Sequence, residues 1–219
     1  IMITRGRYIV IEGNDGTGKS TQVRLLQTYF HEQGRSVVIV EEPGGGDPAF
    51  TTPVASYLRA IIKNRQLQRD PEINLALFSA ARRELWQHSI APALERGAVV
   101  LAARNYLSTL AYQGYGEGLD LDHIRETTAL FTDARYMAPD HVVVLVINDD
   151  IERKRRLAER SSLIYLDAFE SRADDFQRRV DNGYAVLARD MSLPVVECAV
   201  SDHYKTPAEI RAEILQIIS

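Results

Sequence analysis

Tyr8-Ile9-Val10-Ile11-Glu12-Gly13-Asn14-Asp15-Gly16-Thr17-Gly18-Lys19-Ser20 is the stretch that decides the fold. Its apolar beginning reads as a buried strand. From Lys19 onward Val23, Leu25, Leu26, Tyr29 and Phe30 recur at helical spacing as far as Gly34. Between strand and helix lies Gly, four residues, then Gly-Lys-Ser, the pattern of a phosphate-binding P-loop in the context that pattern requires. Glycines let the main chain wrap around phosphates with its N–H groups inward, and the positive end of the helix dipole adds to the field. Gly13, Asn14, Asp15, Gly16, Thr17, Gly18, Lys19, Ser20 and Thr21 are therefore the expected nucleoside triphosphate cradle. Lys19 is expected to bridge the β- and γ-phosphates and Ser20 to offer its hydroxyl to Mg²⁺.

Outward from this stretch the pattern repeats. Val37-Val38-Ile39-Val40, Ala98 to Ala102, Val142 to Ile147 and Pro194 to Cys198 are short apolar, mostly β-branched runs, expected as four further strands. Helical spacing separates them over Thr52 to Lys63, Asp70 towards Gly97 with a disturbance at Pro92, Asp120 to Tyr136, Asp149 to Arg160 and Ser171 to Asp190. Thr206-Pro207-Ala208-Glu209 opens a last helix with a capping box. Continuous apolar strands alternating with helices predict an α/β P-loop NTPase fold, a five-stranded parallel sheet with helices on both faces.

The 219 residues, 45% of them hydrophobic, suffice for a single domain spanning 1–219. A net charge of −4 without a continuous basic block argues against nucleic acid as the main partner. Cys198 is the lone cysteine and reads as a buried filler, so no intrachain disulfide forms and a cytoplasmic protein is expected. His31, His88, His123, His141 and His203 lack metal-ligand spacing, and no run reaches the roughly 18 apolar residues of a membrane span.

A P-loop alone does not name a reaction. No Asn-Lys-x-Asp element of a guanine-reading GTPase is present. Four segments in order do more. Ile11 to Gln22, Glu42-Pro43-Gly44-Gly45, Leu77-Phe78-Ser79-Ala80-Ala81-Arg82, and Arg104 with Ser108 and Ala111-Tyr112-Gln113 together resemble the thymidylate kinase family, over a similarity running from about Arg7 to the end of the chain. The resemblance implies ATP and Mg²⁺ as cofactors, thymidine monophosphate (dTMP) as acceptor and a homodimer. Kinases of other nucleoside monophosphates and weakly active nucleotide-binding homologues are the alternatives.

What the resemblance implies for the site is specific. Phe78 and Arg82, four apart on a helix, would stack on the pyrimidine and donate to its carbonyl oxygen. Arg59 and Arg104 would hold the acceptor phosphate, with Pro43 and Ser108 in the same set, Asp15 on the sugar 3′-hydroxyl, and Tyr112 and Gln113 lining the sugar and base pocket. A lid at about 155–170 would supply catalytic arginines, Arg155 and Arg160, beside Lys19 and Arg104. Two positions depart from the family pattern. Ala103 stands where an aspartate near Mg²⁺ is usual, which leaves Ser20, phosphates, water and Glu12 or Glu42 for the metal, and Ala168 stands where the lid usually carries an arginine.

Overall fold

Residues 5–46, 51–148, 155, 168–169, 172–200 and 203–219 are described in a computed structural model. β1 (Arg7–Glu12) lies at the centre of the sheet, paired in parallel with β4 (Val99–Ala103) on one side and β5 (His141–Val146) on the other. β2 (Val37–Glu41) adds outside β4, and β6 (Val195–Glu197) outside β5. These are the five parallel strands read from the sequence. A two-residue strand, β3 (Gly45–Gly46), extends the edge antiparallel to β2, giving the order β3-β2-β4-β1-β5-β6. A separate ribbon pairs β7 (Ala199–Val200) with β8 (His203–Tyr204).

The period of two along each strand sends alternate side chains into two cores. Tyr8, Val10, Val100 and Ala102 face one layer, where α3 (Pro71–Leu85) packs through Leu75, Ala81 and Leu85. Ile9, Ile11, Val99 and Leu101 face the other, covered by α1 (Lys19–Glu32) through Val23, Leu26 and Phe30, and by α9 (Pro207–Ile218) through Ile210, Ile214 and Ile218. Both faces are apolar, hence the continuous hydrophobic strands; truncating a residue such as Leu101 to Ala costs about 2–5 kcal/mol. The Thr206–Glu209 capping box forms as expected, and Cys198 is buried.

One helix is interrupted near Pro92, where a disturbance was expected, and another expected as a single piece is broken. After α3 a π-helical turn (Trp86–Ile90) precedes α4 (Ala91–Glu95). Pro92 lacks an N–H and its ring crowds the carbonyl four residues back, at His88, so the ladder widens there. The expected helix from Asp120 divides into α6 (Leu121–Phe131) and α7 (Ala134–Met137), because the Asp133 side chain accepts from the Arg135 and Tyr136 amides and starts a new helix. The others are α2 (Pro53–Lys63), α5 (Tyr106–Thr109), which runs into a π-helical segment Leu110–Gly116, and α8 (Asp174–Asp190). Among the described residues no helix is long and apolar enough to cross a membrane.

The carboxyl ends of β1, β4 and β2 come together, since Ile11 and Glu41 both flank Ala103 in the register. Open α/β sheets bind their ligands at such an edge.

Candidate active site

The P-loop turns sharply out of β1. Gly13 has φ 131°, and a Cβ there would lie 2.2 Å from the Leu145 carbonyl oxygen, so no other residue fits. The loop is fastened from within: the Thr17 hydroxyl and the Lys19 ammonium both donate to the Asn14 carbonyl, at 2.9 and 2.7 Å. Gly18 caps α1 in the left-handed region without a side-chain bond, so no capping side chain blocks the anion-binding end of that helix. Asp15, Gly16, Gly18, Lys19, Ser20 and Thr21 line a cavity of about 370 Å³, within the size range of small-ligand sites.

Across this cavity stands Arg104, which follows β4 with φ 75°. A non-glycine residue held there costs on the order of 1–3 kcal/mol and persists only when its surroundings over-determine it. They do. Nη1 donates to the Gly13 carbonyl at 3.1 Å, to Ser108 Oγ at 2.9 Å and to Tyr184 Oη at 2.9 Å, while Nη2 donates to Asp15 Oδ1 at 2.6 Å. Tyr112 donates to the other Asp15 oxygen at 2.8 Å. Burial alone would raise the Asp15 pKa, but the Arg104 and Lys19 charges and the bonds from Tyr112 and Arg104 outweigh it and hold the carboxyl well below the usual range. Asp15 therefore binds as a carboxylate. Beneath Arg104, buried Glu12 accepts from the Asn105 and Ser108 amides at 2.7 and 3.2 Å and from the Ser108 and Tyr184 hydroxyls at 2.8 and 3.0 Å.

The far end of the cavity is aromatic. Phe78 on α3 lines it, with Tyr112, Gln113 and Phe169; the Phe78 and Phe169 rings lie 5.7 Å apart. Phe169 was not foreseen, because a lone aromatic in an aperiodic stretch carries no local signal. Gln113 is fully buried. Its Nε2 donates to Glu117 at 3.1 Å, which fixes the amide orientation and leaves Oε1 without a partner among the described residues.

Arg82 and Arg59 sit differently from the expectation. Arg82 shares the α3 face with Phe78, yet it does not line the cavity and is buried. It donates from Nη2 to Glu42 at 3.0 Å and Thr109 at 2.9 Å, and from Nε to Glu42 at 3.1 Å and Tyr136 at 2.8 Å; Nη1 has no partner among the described residues. Burial alone would lower its pKa, but Glu42 and Tyr136 outweigh that and raise it. Its guanidinium thus lies directly behind the wall formed by Glu42 and Thr109. Arg59 is likewise off the wall, because Glu41 takes Nη2 and the Pro43 carbonyl takes Nη1, each at 2.8 Å; Glu41 and Pro43 themselves line the cavity.

Among the described residues no group of three or more His, Cys, Asp or Glu could hold a metal. Ala103 lines the cavity in place of an acid. Glu12 and Glu42, the acids expected to help, are engaged with Ser108, Tyr184 and Asn105 and with Arg82 and Tyr136. Ser20 is exposed at the cavity and suits Mg²⁺, which keeps several waters and binds largely through substrate phosphates. Of the expected lid, residues 155, 168 and 169 are described: Arg155 is helical and exposed, and Arg160 lies outside the described residues.

Known proteins resemble this chain over most of its length. The sequence model described as Thymidylate kinase matches residues 11–205. The chain belongs to the thymidylate kinase family. It is 37% identical over 215 residues to the thymidylate kinase of Chlorobaculum tepidum, covering 96% of this chain and 95% of that one. With that of Clavibacter sepedonicus it shares 37% over 183 residues, 84% of this chain and 82% of the other. The crystal structure of thymidylate kinase from Ehrlichia chaffeensis superposes with a TM-score of 0.75 at 27% identity, over 98% of this chain and 100% of that one. The span matched to the thymidylate kinase family runs from the end of β1 to just past β8.

Proposed function

We propose that this chain transfers the γ-phosphoryl group of ATP to dTMP, giving ADP and thymidine diphosphate. The observation that carries this reading is one cavity with two anion sites: Lys19 and the P-loop amides on one wall, and Arg104 on the other with Phe78 and Gln113 beyond it. In this reading Lys19 neutralises the β- and γ-phosphates, and Arg104 holds the dTMP phosphate. An oxygen of that phosphate attacks the γ-phosphorus while the bond to the ADP oxygen breaks. A phosphate monoester is already largely dianionic at pH 7, so no general base is required and catalysis is positioning and charge stabilisation. Mg²⁺, held by Ser20 with phosphate oxygens and water, supplies charge neutralisation. Arg155 and Arg160 are the proposed lid cations.

The base pocket favours thymine for a chemical reason. Its wall carries one buried orphan, the acceptor Gln113 Oε1, while Arg82 lies behind the wall. Thymine offers the complement at N3, an N–H donor, whereas cytosine has a bare ring nitrogen there. A site with buried polar groups rejects a ligand that leaves them unpaired. Asp15 takes the sugar 3′-hydroxyl and Tyr112 packs against the sugar. Arg59 supports the rim through Glu41 and Pro43.

A homodimer belongs to the same reading. Val54, Tyr57 and Ile61 form an exposed apolar stripe on α2, with Ile73 on α3 and Leu130 on α6 also exposed. Cytoplasmic placement is supported by the substrates, ATP and a nucleoside monophosphate, and by the buried Cys198 thiol.

The test is ADP release with ATP and Mg²⁺ and a panel of dTMP, dUMP, dCMP and dGMP, with Lys19→Ala as control. dTMP is expected to be preferred. Equal ADP release without an acceptor, or a preference for dCMP, refutes the reading.

A further inference from the structure

Helix α8 sends two side chains to residues around the site that the transfer, as described above, does not use. Asp181 and Tyr184 are three residues apart and therefore project from one helix face. The Tyr184 phenol is only 3% exposed. It lies 3.0 Å from Glu12 Oε2 and 2.9 Å from Arg104 Nη1, and its one proton goes to the carboxylate, leaving lone pairs to accept from the guanidinium. Ser108 Oγ, 2.8 Å away, closes the ring of contacts around the same Nη1. Asp181 reaches the opposite wall: its Oδ1 accepts from the Asn14 side-chain amide at 2.6 Å, inside the P-loop. Asn14 Oδ1 in turn accepts from the Asp15 amide at 2.7 Å and lies 2.7 Å from Tyr112 Oη.

One rigid element thus touches both anion sites. Its own placement is tight, because Gly183 brings the helix so close to Tyr115 that a Cβ there would meet the Tyr115 Cβ at 2.8 Å and its ring at 2.9 Å. An arginine side chain carries about 2 kcal/mol of rotamer entropy. A misplacement of 1 Å between reacting groups can lower a rate on the order of a hundredfold. Fixing the spacing of the two walls is therefore a function in its own right.

We propose that α8 is the brace that sets the distance between the donor and acceptor phosphates, with Tyr184 positioning Arg104 and Asp181 positioning the P-loop. This rests on the reading of Arg104 as the cation for the acceptor phosphate. Both are positioning residues, since each acts through another group.

The test is steady-state kinetics on the full chain, varying dTMP at saturating ATP and Mg²⁺ and then the reverse, with thermal unfolding of every variant. Tyr184→Phe keeps the ring and removes the hydroxyl; kcat/KM for dTMP is expected to fall about tenfold to a hundredfold, with KM for ATP within about twofold of the parent. Asp181→Ala is expected to show the opposite split, with KM for ATP raised about fivefold or more. The brace is overturned if Tyr184→Phe leaves kcat/KM for dTMP within about twofold. It is equally overturned if both KM values rise in parallel with a lowered Tm, which marks a packing role. Should Tyr184→Phe fail to fold, the Asp181→Ala split decides alone. A parent enzyme inactive on dTMP would sink the proposed function, whereas an active parent with indifferent variants would sink only this inference.

Discussion

Replacing Arg104 by Gln separates its structural role from its chemical one. The guanidinium pairs with Asp15 at 2.6 Å, and the two side chains are only 14% and 17% exposed. Breaking a fully buried pair by removing one partner costs about 3–5 kcal/mol, because a charge is left without compensation. With this degree of residual exposure a cost somewhat below that range, about 2–4 kcal/mol, applies to Arg104→Gln. In a chain of this size each kcal/mol moves Tm by about 2–4 °C, so the variant should melt about 4–16 °C below the parent. Adding Asp15→Asn removes the orphan charge and should recover at least half of the loss. Turnover behaves otherwise. A donor aimed at developing charge is worth about a hundredfold to a thousandfold in kcat, and the second substitution cannot return it. Differential scanning calorimetry and ADP release on the single and double variants read the two quantities. If the double variant regains turnover, Arg104 is not the cation facing the acceptor phosphate; if the single variant melts within about 2 °C of the parent, the Asp15 pair does not hold the wall together.

Three further outcomes follow from the same geometry. Asp15 has a folded pKa held below its unfolded value near 4, so its contribution to stability is present above that value and disappears as pH falls towards the folded one; urea titrations from pH 6 to 3 should show a shallower acid limb in Asp15→Asn. Gln113→Leu removes the orphan acceptor, and competition kinetics should show the preference for dTMP over dCMP falling about tenfold or more. Tyr57, 74% exposed on α2, should be tolerated as Glu in the folded chain, but sedimentation should then show a monomer where the parent sediments as a dimer.

The parts of this molecule that could be read from sequence are those whose cause is local. The strands are visible because each is buried on both faces, and the P-loop because backbone geometry forces glycine where a Cβ would collide, as at Gly13 against Leu145. Spacing also placed Phe78 and Arg82 correctly on one face of α3. It could not place Arg82 in depth, since that depends on Glu42 arriving from the end of β2, forty residues away in the chain. Tyr184 had still less of a signal. A tyrosine on the apolar face of a helix reads as core, and only the meeting of α8 with β1 and with Arg104 after β4 shows that its hydroxyl is engaged. The Ala103 departure was legible as a substitution, but not that Glu12 and Glu42 would already be committed elsewhere.

Those commitments share a logic. Each of the three arginines around the acceptor end meets a carboxylate: Arg59 with Glu41 at 2.8 Å, Arg82 with Glu42 at 3.0 Å and Arg104 with Asp15 at 2.6 Å. Three isolated cations would attract a phosphate from a distance, but they would also repel one another and disperse over many rotamers. Pairing cancels much of the long-range field while locking each guanidinium in place, so the acceptor site gains order at the expense of reach. Phosphoryl transfer rewards that exchange, because its barrier falls through alignment of the attacking oxygen with the leaving group more than through capture of the substrate. The wall nearest the transferring group carries the most heavily anchored of the three: Arg104 is tied to the P-loop through Gly13 and Asp15, to α5 through Ser108 and to α8 through Tyr184. Among the described residues of the site, Arg104 alone is a non-glycine residue held in the left-handed region, which ties the strain to the residue whose placement the chemistry depends on most.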